Sequence, residues 1–125
     1  MTENNIARPA ILVDLKKYRI RIHKNTLHSI GDPDNVLLLV NPEELTLAIL
    51  RCNHSDARAH HISRTFLPNT NSIELYSRSL VESLREVCTD WQGSRSYRLY
   101  GEIIPSEGMA LFQMAASDII RGDKI

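Results

Sequence analysis

Five side chains that can bind metal or act as nucleophiles fall within ten positions near the middle of this sequence. They are Cys52, His54, Asp56, His60 and His61. Cysteine and histidine are the usual ligands of structural zinc, but this spacing matches no standard zinc pattern and no second cysteine pair accompanies it. The polar composition of the segment favours a solvated loop. We therefore predict no metal site and no other cofactor.

Cys52, His54 and Asp56 also have the residue types of a cysteine nucleophile with a base and an orienting acid. The sequence contains no glycine-rich phosphate loop, no G-x-S-x-G and no H-E-x-x-H motif to accompany them. A buried structural thiol is the simpler interpretation of Cys52, and also of Cys88 on the apolar face of a predicted helix. The sequence therefore predicts a protein that is not an enzyme.

Three basic residues form a second group, Arg19, Arg21 and Lys24, in a stretch where basic and apolar residues alternate. Alternation places Ile20 and Ile22 on one face of a strand and the two arginines on the other. Because the guanidinium fork can bond bidentately to phosphate or guanine, one interpretation is a DNA contact. The other interpretation is that the arginines form the solvent face of an amphipathic edge strand.

Composition limits the class of protein. The chain has 125 residues, of which 42% are apolar and 24% charged, so we predict one globular domain over residues 1–125. Fifteen basic and fifteen acidic residues cancel, so any nucleic-acid binding requires a local patch. The longest apolar run, 36–40, is too short to span a bilayer, and the first residues lack a signal-peptide pattern. These features predict a cytoplasmic protein without a membrane segment.

The same order of elements is predicted in two parts of the chain, about 18–52 and 73–116: strand, helix, strand, four-residue turn, strand. The turns are NPEE at 41–44 and PSEG at 105–108. We predict an α+β fold in which two βαββ-like units form one compact domain with a mostly antiparallel sheet. Units that cannot each bury an apolar face would pair within one chain or between two.

Two helices are predicted from capping signals. The clearer one starts at Ser77 or Ser79, where Ser79 and Glu82 have capping-box spacing. The shorter one follows the basic strand, with Asn25 or Thr26 as its N-cap, and ends near a glycine at position 31. Both helices lie between the predicted strands of their half.

The basic strand and its surroundings resemble a known family. The stretch RIRIHK at 19–24, together with Leu27, Ile30-Gly31 and the two strands that follow, resembles the AbrB/MazE/SpoVT group of bacterial swapped-hairpin domains. The doubled order resembles the MraZ-like form, which has two such units. The resemblance implies a bacterial transcription regulator, active as a homo-oligomer, with Arg19, Arg21 and Lys24 close to the phosphates or base edges of double-stranded DNA.

Two observations favour a different function. Glu74 stands in the second half where Arg21 stands in the first, and the whole chain is electrically neutral. The alternative is a protein-interaction or assembly module that does not bind DNA. Aromatic residues around the second hairpin would form its core or a binding face, and for Tyr100 both assignments stay open. A sliding-clamp-like arrangement, which also repeats strand-helix-strand units, is a third hypothesis.

Overall fold

A computed structural model describes residues 8–53, 55–62 and 71–120. Within these residues the chain forms one mostly antiparallel sheet and two helices, so the predicted α+β class is confirmed. The strands are β1 (Ala10–Asp14), β2 (Arg19–His23), β3 (Asn35–Asn41), β4 (Thr46–Arg51), β5 (His60–His61), β6 (Ser72–Tyr76), β7 (Ser96–Ile104) and β8 (Met109–Ile120). The helices are α1 (Lys24–Ser29) and α2 (Arg78–Val87).

The sheet has the strand order β5-β3-β4-β8-β7-β1-β2-β6, and every pairing in it is antiparallel. It curls until it is nearly closed, and α2 contacts both β2 and β3, which lie towards its opposite edges. Its inner face and both helices contribute to one apolar core. Among the described residues, no helix is both long and apolar enough to cross a membrane.

Both predicted hairpins are present. β3 and β4 pair from Val36 with Arg51 to Asn41 with Thr46, and the Asn41 side chain accepts hydrogen bonds from the two glutamate amides of the turn. β7 and β8 are joined by a short 3₁₀ turn over Pro105–Glu107, after which Gly108 has a φ of 61°. Proline at the start of the turn and glycine in the left-handed region are the residues that this geometry favours.

Both helices form where the sequence predicts them, with different caps. The N-cap of α1 is His23, whose Nδ1 accepts from the Asn25 amide at 3.0 Å, so the predicted caps Asn25 and Thr26 are wrong. The helix ends at Ser29 with Ile30 as its C-cap, and Gly31 follows with a φ of 98°, the left-handed conformation that favours glycine after a helix. For α2, Ser77 is the N-cap: its Oγ accepts from the amide of residue 80.

The prediction of two βαββ units is wrong. β2 pairs with β1 and β6 rather than with β3, and β4 pairs with β8, so strands from the two halves are mixed within one sheet. The recurring element order has a different consequence. The strands have counterparts: β2 corresponds to β6, β3 to β7, β4 to β8 and β1 to β5. When each strand is replaced by its counterpart, every observed pairing becomes another observed pairing or itself, except β1 with β2. Its counterpart would join β5 to β6, where the sheet is open.

Candidate functional site on the outer face of the sheet

Because the core fills the inner face, the residues that alternate outward along each strand are the candidates for binding. The registers across β7, β1, β2 and β6 arrange the outward residues in rows. One row runs Arg98, Leu12, Arg21, Glu74, and its neighbour runs Ser96, Asp14, Arg19, Tyr76. The basic residues of β2 therefore face carboxylates on both adjacent strands.

The side chains in these two rows form a network that we call the charged face: Asp14, Arg19, Arg21, Glu74 and Tyr76. Arg19 donates to Asp14 Oδ2 at 3.0 Å and to Glu74 Oε2 at 2.8 Å. Arg21 donates through Nε to the same Glu74 oxygen at 3.2 Å, and the Tyr76 hydroxyl donates to Glu74 Oε1 at 2.9 Å. Both oxygens of Glu74 are thereby bound by its neighbours.

This network shifts the acidity of its members. Burial alone would raise the pKa of Glu74, but hydrogen bonds from Arg21 and Tyr76 and the charge of Arg19 bring that pKa below its ordinary value. Burial opposes the charge of Arg19, yet Tyr76, Glu74 and Asp14 raise the pKa of its guanidinium. Both groups therefore stay ionised and paired at neutral pH, and their charges cancel locally.

The three residues predicted to contact DNA differ in their surroundings. Arg19 and Arg21 lie together on the outer face, where their side chains are 20% and 31% exposed. Lys24 is exposed at the first position of α1. β2 is not an edge strand, since it has a partner strand on each side, but the arginines do lie on its outer face with Ile20 and Ile22 in the core. Sequence reasoning missed the carboxylates of Asp14 and Glu74, although Glu74 alternates with apolar residues in the same way as the arginines.

A groove of about 1140 Å³ lies beside the charged face. Its basic lining residues come from three segments: Arg8 before β1, Arg21 on β2 and Arg98 on β7. Between them the wall includes apolar residues of β1 and β7, and α1 supplies polar side chains along one side. The arginine-lined groove, as we call it below, is formed by Arg8, Pro9, Ala10, Ile11, Leu12, Arg21, His23, Asn25, Thr26, Ser29, Ser72, Arg98, Gly101, Glu102 and Ile103.

The aromatic residues of the second half divide between core and surface. Trp91 and Tyr97 stack with ring centroids 4.6 Å apart and are buried, and Phe112 is fully buried. Tyr100 is half-buried on the outer face, where the guanidinium of Arg8 lies 5.2 Å from its ring centroid. The open question about Tyr100 thus has a structural answer, because its ring contributes to the surface next to the arginine-lined groove.

The outer face of β3, β4, β8 and the end of β7 is apolar. Its registers form one row of Leu39, Ala48 and Leu111 and another of Leu37, Leu50, Met109 and Ile104. We call these seven residues the apolar face; none belongs to the central core cluster. Leu37 and Ala48 are buried, and the other residues of the face are half-buried or, in the case of Leu39, exposed. Leu39, with 37% of its surface exposed, is one of two exposed large apolar residues in the described ranges, and Tyr76 is the other.

Acidic residues surround the apolar face. The exposed Glu43 and Glu44 lie in the turn at one end, Glu107 lies in the turn at the other end, and Glu102 is paired in register with Leu111 at its side. Arg51 also lies at this second end, against Gly31 and Gly108. A depression of about 520 Å³ runs from the first turn across Leu39, Ala48 and Leu111.

The cysteine and histidine cluster predicted from the sequence is only partly described, because His54 lies outside the described residues. Burial and the charge of Asp56 raise the pKa of Cys52, which reduces its nucleophilic thiolate form. Asp56 binds the Arg58 amide at 2.9 Å, and His60 and His61 belong to β5. No three His, Cys, Asp or Glu residues within the described ranges lie close enough together to hold a metal ion.

Comparison with known proteins gives no assignment. No protein family matches this chain, and neither a curated protein nor a solved structure matches it. The charged face, the apolar face and the arginine-lined groove are therefore the features that bear on function.

Proposed function

We propose that this protein is a non-enzymatic protein-interaction module that binds a partner protein through the apolar face. The observation that carries the proposal is the outward row of Leu39, Ala48 and Leu111, on a sheet whose core lies on the other side. In this row Leu39 is exposed and Leu111 is half-buried, on either side of the smaller, covered Ala48. Exposed contiguous apolar surface on a folded protein marks an interaction site more often than single exposed residues do.

Charge complementarity identifies the chemistry of the partner. Four glutamates lie around the apolar face, and the positive charge of Arg51 at one end offsets part of their negative charge. Two copies meeting face to face would bring these acidic rims together, which costs free energy. The surface therefore fits a partner segment that presents apolar residues flanked by lysine or arginine.

The test is site-specific photo-crosslinking in cells. A photoreactive amino acid replaces Leu39 in the full chain, and Tyr76, the other exposed large apolar residue, carries it in the control. We expect position 39 to form an adduct that mass spectrometry maps to an apolar segment with flanking lysine or arginine. That segment, made as a peptide, should bind the purified wild-type protein. Its affinity for the Leu39→Lys variant should be at least tenfold lower.

Three results would contradict this proposal. One is an adduct with a second copy of the chain, which would make the apolar face a self-association surface. Another is crosslinking that is equal at positions 39 and 76. The third is peptide binding that Leu39→Lys leaves unchanged. Light scattering on the purified protein detects the first of these independently, because a self-associating chain has a concentration-dependent mass.

Double-stranded DNA binding by a homo-oligomer is a second candidate, favoured by one observation. The partly exposed Arg21 lines the groove with Arg8 and Arg98, and the exposed Lys24 lies in sequence between the lining residues His23 and Asn25. The local cancellation by Asp14 and Glu74 reduces the field that such a surface can generate.

Fluorescence anisotropy with duplex DNA at low and moderate salt tests this second candidate. If Arg21 and Lys24 contact phosphates, Arg21→Ala with Lys24→Ala weakens binding at low salt and reduces its salt dependence. Arg58→Ala is the matched control, since Arg58 is an exposed arginine in another part of the chain. Absence of binding at low salt, or equal binding by the double variant, removes DNA from consideration.

A further inference from the structure

The arginine-lined groove is separate from the apolar face and is not used by partner docking there. It is concave, and its three guanidinium groups come from positions far apart in the sequence, Arg8, Arg21 and Arg98. In the register across β7, β1 and β2, Arg98 and Arg21 lie on either side of Leu12. Two strand spacings, about 10 Å, therefore separate their backbones, and long side chains can reach a common ligand across Leu12.

The residues that line the groove include more basic than acidic groups: three arginines and one carboxylate, Glu102. From outside the lining, Glu74 binds Arg21 and Asp118 lies opposite Arg98 in the β7–β8 register. Arg8 also lies over the ring of Tyr100 and so points along the surface of β7. Planar guanidinium groups suit a phosphate ligand, because each guanidinium can donate two parallel hydrogen bonds to the phosphate oxygens.

The remaining lining suits the rest of a small molecule. Ala10, Leu12 and Ile103 provide apolar surface beside the arginines, and Asn25 and Ser29 of α1 provide hydrogen-bonding groups. A concave site of this kind is typical of small-molecule binding, whereas reading of duplex DNA needs an element that projects into a groove. We propose that the arginine-lined groove binds a small organic phosphate, with the phosphate at the arginines and the organic part over Leu12.

The experiment uses the whole chain and three probes: inorganic pyrophosphate, adenosine monophosphate and duplex DNA. Calorimetry at physiological salt should show saturable binding of adenosine monophosphate, tighter than that of pyrophosphate because only the former reaches the apolar wall. Arg98→Ala should weaken it at least tenfold, as should Leu12→Glu, which places a carboxylate between Arg98 and Arg21. Arg95→Ala, a change at an exposed arginine outside the groove, should have no effect.

We expect Arg98→Ala and Leu12→Glu to remain folded, since both residues are at least partly exposed, and circular dichroism checks this. The proposal is overturned if neither phosphate probe binds at millimolar concentration, or if both variants bind as the wild type does. It is also overturned if DNA binds and neither small phosphate displaces it, which would make the arginines a nucleic-acid surface. Crosslinking at position 39 is independent of all these results, so failure here leaves partner docking unaffected.

Discussion

The charged face and the apolar face are built on the same sheet by the same kind of cross-strand row, but they differ in how their side chains are satisfied. On the charged face, Glu74 accepts from Arg19, Arg21 and Tyr76, so its members bind one another. On the apolar face, Leu39 remains 37% exposed beside Ala48 and Leu111. A row that satisfies itself stabilises the fold, whereas a row that does not is available to a partner.

The largest expected effect concerns the junction between the two faces. At Gly101 on β7 an added Cβ would lie 2.1 Å from the Leu111 carbonyl oxygen and 2.8 Å from the Phe112 ring. We expect Gly101→Ala to lower the free energy of unfolding by about 3 kcal/mol, because β7 must move away from β8. Urea denaturation followed by the fluorescence of Trp91, the single tryptophan, measures this.

Gly93→Ala is the matched control, because nothing lies within 4 Å of a Cβ built there. Its free energy of unfolding should stay within about 0.5 kcal/mol of the wild type. If both variants are equally stable, β7 and β8 are not in close contact at Gly101 and the two faces are not rigidly joined.

A second prediction compares the faces directly. Glu74→Ala should lower the free energy of unfolding by about 2 kcal/mol, because it leaves Arg21 and part of Arg19 without their partly buried acceptor. Leu39→Ala should change it by no more than about 0.5 kcal/mol, because Leu39 lies outside the core. Urea denaturation of the two variants, measured side by side, gives both free energies of unfolding. A larger loss of stability from Leu39→Ala than from Glu74→Ala would reverse the assignment of the structural and the binding face.

The smallest predicted effect is a dependence on pH. The pKa of Glu74 is lower in the folded chain than its ordinary value of 4.5, so the folded state favours its ionised form. This contribution to stability is complete above that ordinary value and is lost as the pH falls through the folded pKa. Glu74→Gln should therefore lose less free energy of unfolding than the wild type as the pH falls from about 5 to about 3.

Comparing the wild type with Glu74→Gln isolates one carboxyl group, because every other acidic residue is present in both. Asp56, whose pKa is also lowered, chiefly by the Arg58 amide, titrates in the wild type and the variant alike. The difference between their urea midpoints across this pH series isolates Glu74. Parallel curves would show that Glu74 does not titrate with a lowered pKa, and the charged face would then lose its role in stability.

Much of the local structure follows from the sequence. Proline and asparagine in NPEE and glycine in PSEG predict both hairpins, because turn geometry depends on residues within the turn itself. Ser77 before an amphipathic run predicts α2 for the same reason. The cap of α1 was not predictable from preferences, since His23 acts through Nδ1 in the place that serine, threonine or asparagine usually takes.

The pairing of the strands could not be predicted from the sequence in the same way. Alternation in β2 correctly separates Ile20 and Ile22 from Arg19 and Arg21, but it cannot say which strands lie on either side. Two hairpins in series favour adjacent pairing within each half. The structure keeps both hairpins and adds β8 beside β4 and β6 beside β2, so that contacts between the halves bring the sheet around one core.

The sequence by itself determined the turns, the helix positions and which face of β2 is apolar, because these depend on neighbours a few residues away. Only the tertiary structure decided that Glu74 and Asp14 lie beside Arg19, and that Arg8, Arg21 and Arg98 line one groove. Those juxtapositions depend on registers between strands distant in sequence, and alternation fixes a side chain's face without fixing its neighbour.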